Sequence, residues 1–183
     1  MIEIIPFAEL GHFENDWLQS RFHFDFAGVT APMGRGFGPL KVWNDDIIKP
    51  HSGFDLHGHR DMEIITYVRK GAISHEDDLG NQGRIPAGDI QVMSAGTGIR
   101  HADEEPTELF QIWIEPDRLG LDPGWRQAAV PGNQMAGRLK ALVSGQPGVK
   151  ALLAIHQDAT LFGGHLPSGR EIVQPLAFGR RAY

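Results

Sequence analysis

The chain has 183 residues, 41 % of them hydrophobic and 22 % charged, values that fit one large or two small globular domains with a sizeable core. The net charge is −6, no Lys/Arg run is longer than Arg180–Arg181, and no apolar stretch approaches membrane-spanning length, so nucleic acid and membrane are not expected partners. There is no cysteine, which excludes disulfides, thiolate zinc sites and cysteine nucleophiles and leaves nine histidines as the soft donors for metal chemistry. Together with an N-terminus that lacks a basic signal-peptide start, this points to a cytoplasmic protein.

Twenty-three glycines and twelve prolines demand many turns and favour short strands. Residues 20–26 alternate, with Phe22, Phe24 and Phe26 on one face, and predict a half-buried strand. Residues 40–43 predict a second. Residues 63–68, rich in β-branched and aromatic side chains and closed by Gly71, predict a third. Residues 72–76 and 88–93 flank the turn-forming Asp78, Gly80, Asn81 and Gly83, which predicts two strands joined by a loop. Residues 107–114 predict another strand, ended by Pro116. The texture then changes. Residues 119–148 read as a linker with a short helix over 134–143, and strands are expected again at 151–155 and 160–162. Residues 176–183 look like the approach to one more strand. The segment after the linker is too short for an independent domain. Either the chain is truncated, or this segment packs on the first barrel or on another copy.

The sharpest signal is His57-Gly58-His59. On a strand, residues i and i+2 share a face, so two imidazoles there can hold one ion. Glu63 follows after three residues, and Gly80, Pro86 and Gly88 come next with the spacing Gly-x5-Pro-x-Gly. These two stretches resemble the paired motifs of the cupin superfamily, although Gln91 stands where cupins carry a third histidine. The resemblance is closer to the pirin family, one branch of that superfamily, and to its bacterial quercetin 2,3-dioxygenase-like members. It is carried by residues 22–27, Gly38-Pro39-Leu40, Asn44-Asp45-Asp46, Gly53-Phe54, 57–71, Gly80-Asn81 and 91–101, above all Met93-Ser94-Ala95-Gly96-Thr97-Gly98-Ile99-Arg100-His101. It is dense over about residues 10–115 and thin beyond.

That resemblance implies an all-β fold: a metal-binding cupin barrel (an antiparallel jelly roll) over residues 1–118, the linker 119–148, and the start of a second, metal-free cupin-like segment over 149–183. It also implies one divalent transition metal held by His57, His59, His101 and Asp103. Three imidazoles and a carboxylate suit Fe(II) and tolerate Mn, Ni, Cu or Zn. Two departures stand out. Asp103 replaces the family glutamate and is one methylene shorter, and Gly58 replaces a proline. Glu104 is long enough to substitute for the missing glutamate but has the wrong strand parity. Glu63 is a neighbouring carboxylate that could orient a histidine.

Pirin relatives are associated with two roles. One is quercetin 2,3-dioxygenase activity, which opens a flavonol ring with O2 and releases carbon monoxide. The other is metal-dependent binding of partner proteins as a redox sensor or coregulator. The resemblance therefore implies a flavonol-like substrate and O2, with Asp103 or Glu63 as proton acceptor, or else a protein partner. Other features carry less. His12, His23, His51 and His75 read as surface or strand residues, His156 and His165 form no recognisable chelate, and Trp17, Trp43 and Trp113 read as core. Gly34, Gly36 and Gly38 lack the context of a dinucleotide fingerprint, and no Gly-x-Ser-x-Gly elbow or phosphate loop occurs.

Overall fold

The computed structural model describes residues 3–77, 82–132 and 135–183, excepting the side chains of 55–60, 77 and 95–102. In chain order the strands are β1 (Gly11–Glu14), β2 (Leu18–Phe22), β3 (Leu40–Ile48), β4 (Gly53–Lys70), β5 (Ala72–Asp77), β6 (Gln82–Pro86), β7 (Asp89–Ala102), β8 (Thr107–Ile114), β9 (Gly124–Ala129), β10 (Leu139–Ser144), β11 (Leu153–Ala154) and β12 (Thr160–Gly164). A 3-10 turn, Phe7–Glu9, precedes them. The main sheet runs β1-β2-β3-β8-β4-β7-β5-β6, with β9 added to β7. Its pairs are antiparallel.

This sheet does not lie flat. Leu18 on β2, Ile48 on β3, Val68 on β4, Ile73 on β5, Ile85 on β6 and Leu109 on β8 form one buried cluster. Strands near opposite ends of the order meet there, so the sheet has curled over itself as a jelly roll with an apolar interior. The fold is the expected all-β cupin type.

The β3 strand runs five residues past its predicted end, paired with β2 and β8 on either side, although polar side chains fall on its inner face. Asn44 and Asp46 are buried, and Ser20 of β2 donates a hydrogen bond to Asp46. Asp45, on the other face, is paired with Arg69. The predicted loop between β5 and β7 holds β6, which pairs with β5. A tight corner makes this possible. Gly71 has φ +71°, and a Cβ there would lie 2.7 Å from both the Pro106 carbonyl oxygen and Thr107 Oγ1. Gly71→Ala should therefore cost about 2 kcal/mol, from left-handed strain plus a backbone clash. A urea midpoint equal to wild type would contradict this.

Residues 119–148 are more ordered than a linker. The β9 strand pairs with β7 along its whole length. Its Trp125 stacks on His75 with ring centroids 5.4 Å apart and closes over Gly83, where a Cβ would meet the indole at 2.5 Å. The predicted helix over 134–143 does not form in the described residues, since 139–144 is β10. Gly137 and Gly145 bracket this segment, leaving too few residues for a stable helix, whereas antiparallel pairing with β12 satisfies its backbone.

The small sheet β11-β10-β12 packs on the first barrel. Leu142, Val143, Leu153 and Ile155 join Ile65, Ile90, Val92 and Ile112 in one continuous core on the outer face of the main sheet. Residues 165–183 contain no strand. They lead instead to Tyr183, whose ring lies 5.0–5.9 Å from those of His23, Phe24, Phe37 and Trp43. Its hydroxyl bonds His23 Nδ1 at 2.6 Å. Burial lowers the His23 pKa from 6.5 and raises that of Tyr183 from 10.0, so both are neutral near pH 7. No helix among the described residues is long and apolar enough to cross a membrane.

Candidate metal centre

The two longest strands, β4 and β7, are neighbours, and the histidine motif lies where they pair irregularly. His57 stands opposite Gly98 and His59 opposite Gly96, while His101 stands opposite Gly53 of β4 and Ser74 of β5. The side chains of His57, His59 and His101 lie outside the described residues. Their register still brings all three to one pair of adjacent strands. Each member of the His-x-His pair has a glycine as its register partner. Register shifts fall between Phe54 and His57 and between His59 and Glu63. Asp61, within the second shift, has φ +54°, and its carboxylate accepts the Gly120 N–H at 2.8 Å. Such bulges re-aim side chains and are frequent beside functional sites. Among the described residues, which leave out the side chains of His57, His59 and His101, no group of three His, Asp or Glu gathers to hold a metal. A set of neutral imidazoles with one carboxylate, on adjacent strands, fits a borderline divalent metal.

Asp103 follows the end of β7. Its Oδ1 accepts a hydrogen bond from Ser74 Oγ at 2.7 Å, and its Oδ2 accepts one from Arg84 Nε at 2.6 Å. Its main chain is fixed as well, with its N–H donating to the Ala72 carbonyl and its own carbonyl accepting from His51 N–H, both at 3.1 Å. These residues line a half-open cleft of about 690 Å³ that also includes Glu104 and Glu105. Glu104 is exposed.

Glu63 is wholly buried. Its Oε1 accepts from Ser94 Oγ at 3.0 Å and from His156 Nδ1 at 3.0 Å, and its Oε2 accepts the His156 backbone N–H at 2.6 Å. Arg126 of β9 completes the group, donating to Ser94 Oγ at 3.4 Å and to the Ala154 carbonyl at 3.2 Å. The carboxylate thus ties β4 and β7 to His156, two residues past β11. Gln91, at the position of the cupin third histidine, is likewise committed. It is fully buried, donates to Thr66 Oγ1 at 3.3 Å and accepts from Trp125 Nε1 at 2.7 Å.

Three residues of this arrangement carry no sequence motif. Ser74 and Arg84 meet Asp103 only through the β5–β6 register, in which they are direct partners. His156 lies 93 positions from Glu63 and gives no local signal.

A family model, Pirin, matches residues 6–114. A pirin-like protein of Caulobacter vibrioides is 46 % identical over 187 residues, spanning 100 % of this chain and 81 % of its own length. A quercetin 2,3-dioxygenase of Escherichia coli is 39 % identical over 191 residues, spanning 100 % of this chain and 80 % of that protein. Among solved structures, a bacterial pirin from Escherichia coli in complex with nickel(II) superposes with a TM-score of 0.75 at 34 % identity, over 85 % of this chain and 68 % of that one. With the dense motif, the jelly roll and these likenesses in agreement, the chain belongs to the pirin family of the cupin superfamily.

Proposed function

We propose that the chain is a metal-dependent dioxygenase of the pirin type acting on a flavonol such as quercetin. His57, His59 and His101 are the imidazole ligands and Asp103 is the carboxylate at the site. One observation carries this reading: the β4–β7 register, which sets the His-x-His pair against two glycines and places His101 on the same pair of strands. A relative of this family bears the name quercetin 2,3-dioxygenase and another was solved with nickel(II), which supports both the substrate class and the metal. A bound divalent metal, Fe(II) by donor chemistry, supplies Lewis acidity that lowers the cost of deprotonating a flavonol hydroxyl.

The chain's own residues do the rest. Asp103 takes the hydroxyl proton, its carboxylate lying at the wall of the cleft. Glu63 has no exposed surface and both oxygens engaged, so it serves to anchor β4 and the segment after β11.

The test adds quercetin anaerobically to protein loaded with Fe(II), then admits O2. Ring opening with release of carbon monoxide supports the enzyme. Flavonol binding without turnover points instead to a metal-dependent sensor or partner-binding protein. Asp103→Asn keeps the size but removes the base, so turnover per bound metal should fall about 100-fold or more, within the range of general-base contributions. An unchanged ratio would move the base elsewhere, with Glu104 the next residue to replace.

A further inference from the structure

We propose that Arg84 and Ser74 form a latch on Asp103 that competes with the metal for its carboxylate. This rests on the metal-centre reading above. Both Asp103 oxygens are already accepting, one from a hydroxyl and one from a guanidinium. The two donors come from directly paired positions on β5 and β6, so they arrive together on one side of the carboxylate. Arg84 is held in place beyond its side chain. Its carbonyl accepts from Gln127 Nε2 at 3.1 Å, and that amide also donates to Asp89 at 2.6 Å. The anchor is thus tied to β9 and β7, while the guanidinium side chain itself remains 63 % exposed.

An aspartate is short for a position where the resemblance expects glutamate. Its two oxygens already accept from Ser74 and Arg84, so a metal that coordinated the carboxylate would have to compete with both donors. An ion pair to an exposed guanidinium is weak and a single hydroxyl-to-carboxylate hydrogen bond is modest, so the latch is set low enough to be opened by metal binding and high enough to be measured. Arg84 and Ser74 are therefore positioning residues. They set the metal affinity through Asp103 and do not touch the metal.

The test titrates the metal-free protein with Ni(II) by calorimetry. Arg84→Met should bind about 3- to 10-fold more tightly than wild type, and Ser74→Ala should shift the same way by less. Arg84→Lys, which keeps the charge but loses the Nε geometry, should fall between wild type and Arg84→Met. In an Asp103→Ala background, Arg84→Met should change nothing. That null result separates action through Asp103 from any general effect of charge. Thermal melts of the metal-free variants check that each is folded. If wild type binds Ni(II) but Arg84→Met binds no more tightly, or more weakly, the latch is wrong and the metal site stands. If wild type binds no Ni(II), or His101→Ala binds it as well as wild type, the metal-centre reading fails and the latch falls with it.

Discussion

His57→Ala and His101→Ala are each expected to abolish stoichiometric metal binding, with affinity reduced by more than about 100-fold. Partners outside the ligand set typically cost 10- to 100-fold, and a direct imidazole donor costs more. The two substitutions fall on neighbouring strands. His57 lies on β4 opposite Gly98, and His101 lies on β7 opposite Gly53. Neither alanine is expected to unfold the protein, because the apolar clusters are built from other positions. Asp103→Ala loses only on the order of 10-fold, since a water can replace a short carboxylate that is already bound to Ser74 and Arg84. The measurement is metal content after dialysis together with Ni(II) calorimetry. Equal losses in all three variants would make Asp103 a full ligand, and full loading of His101→Ala would remove the site.

Glu63→Ala destabilises the fold by about 3–5 kcal/mol, the largest stability effect expected of a single polar position here. Three donors converge on this carboxylate: Ser94 Oγ, His156 Nδ1 and the His156 N–H. Removing it strands the buried Ser94 hydroxyl, leaves His156 to find water and opens a cavity against Ile114, its cross-strand partner on β8. Glu63→Gln keeps the volume and one acceptor, so it should cost about half as much. The loss is local as well as global. Because His156 follows β11, the small sheet should loosen, and limited proteolysis should cut near residues 156–159 before the main sheet opens. Chemical denaturation gives the first quantity, and a cost below about 1 kcal/mol would mean that the three bonds are individually dispensable.

These two experiments also mark what the sequence could reveal. The strand 107–114 was legible to the residue, because alternating apolar residues end at a proline. The His-x-His pair and the Gly-Ile-Arg-His stretch were legible because their meaning is local, and their strands are indeed neighbours. Asn44 and Asp46 looked like the end of a strand, since nothing in the chain says that Ser20 waits across the sheet. The strands at 124–129 and 139–144 were hidden for a similar reason. Their backbones are satisfied by distant partners, β7 and β12, so their local texture resembles a connector. Glu63 was recognised as a carboxylate of the motif, but its partner is His156 in the second segment. Periodicity reads a residue's face; it does not read what meets that face from ninety positions away.

The strand order also sets the timing of assembly. In the sheet β8 lies between β3 and β4, two strands that follow one another in the chain. A chain emerging from the ribosome therefore makes β3 and β4 as bare edges that cannot zip to each other. Their shared partner, Thr107–Ile114, arrives some 40–60 residues later, and only then can Asp45 meet Phe110 and Tyr67 meet Phe110 from the other side. Such non-local closure places folding in the millisecond-to-second class and leaves two apolar edges open throughout the wait. Those edges are where a nascent chain of this protein is most exposed to aggregation, and β8 is the strand whose insertion ends that exposure.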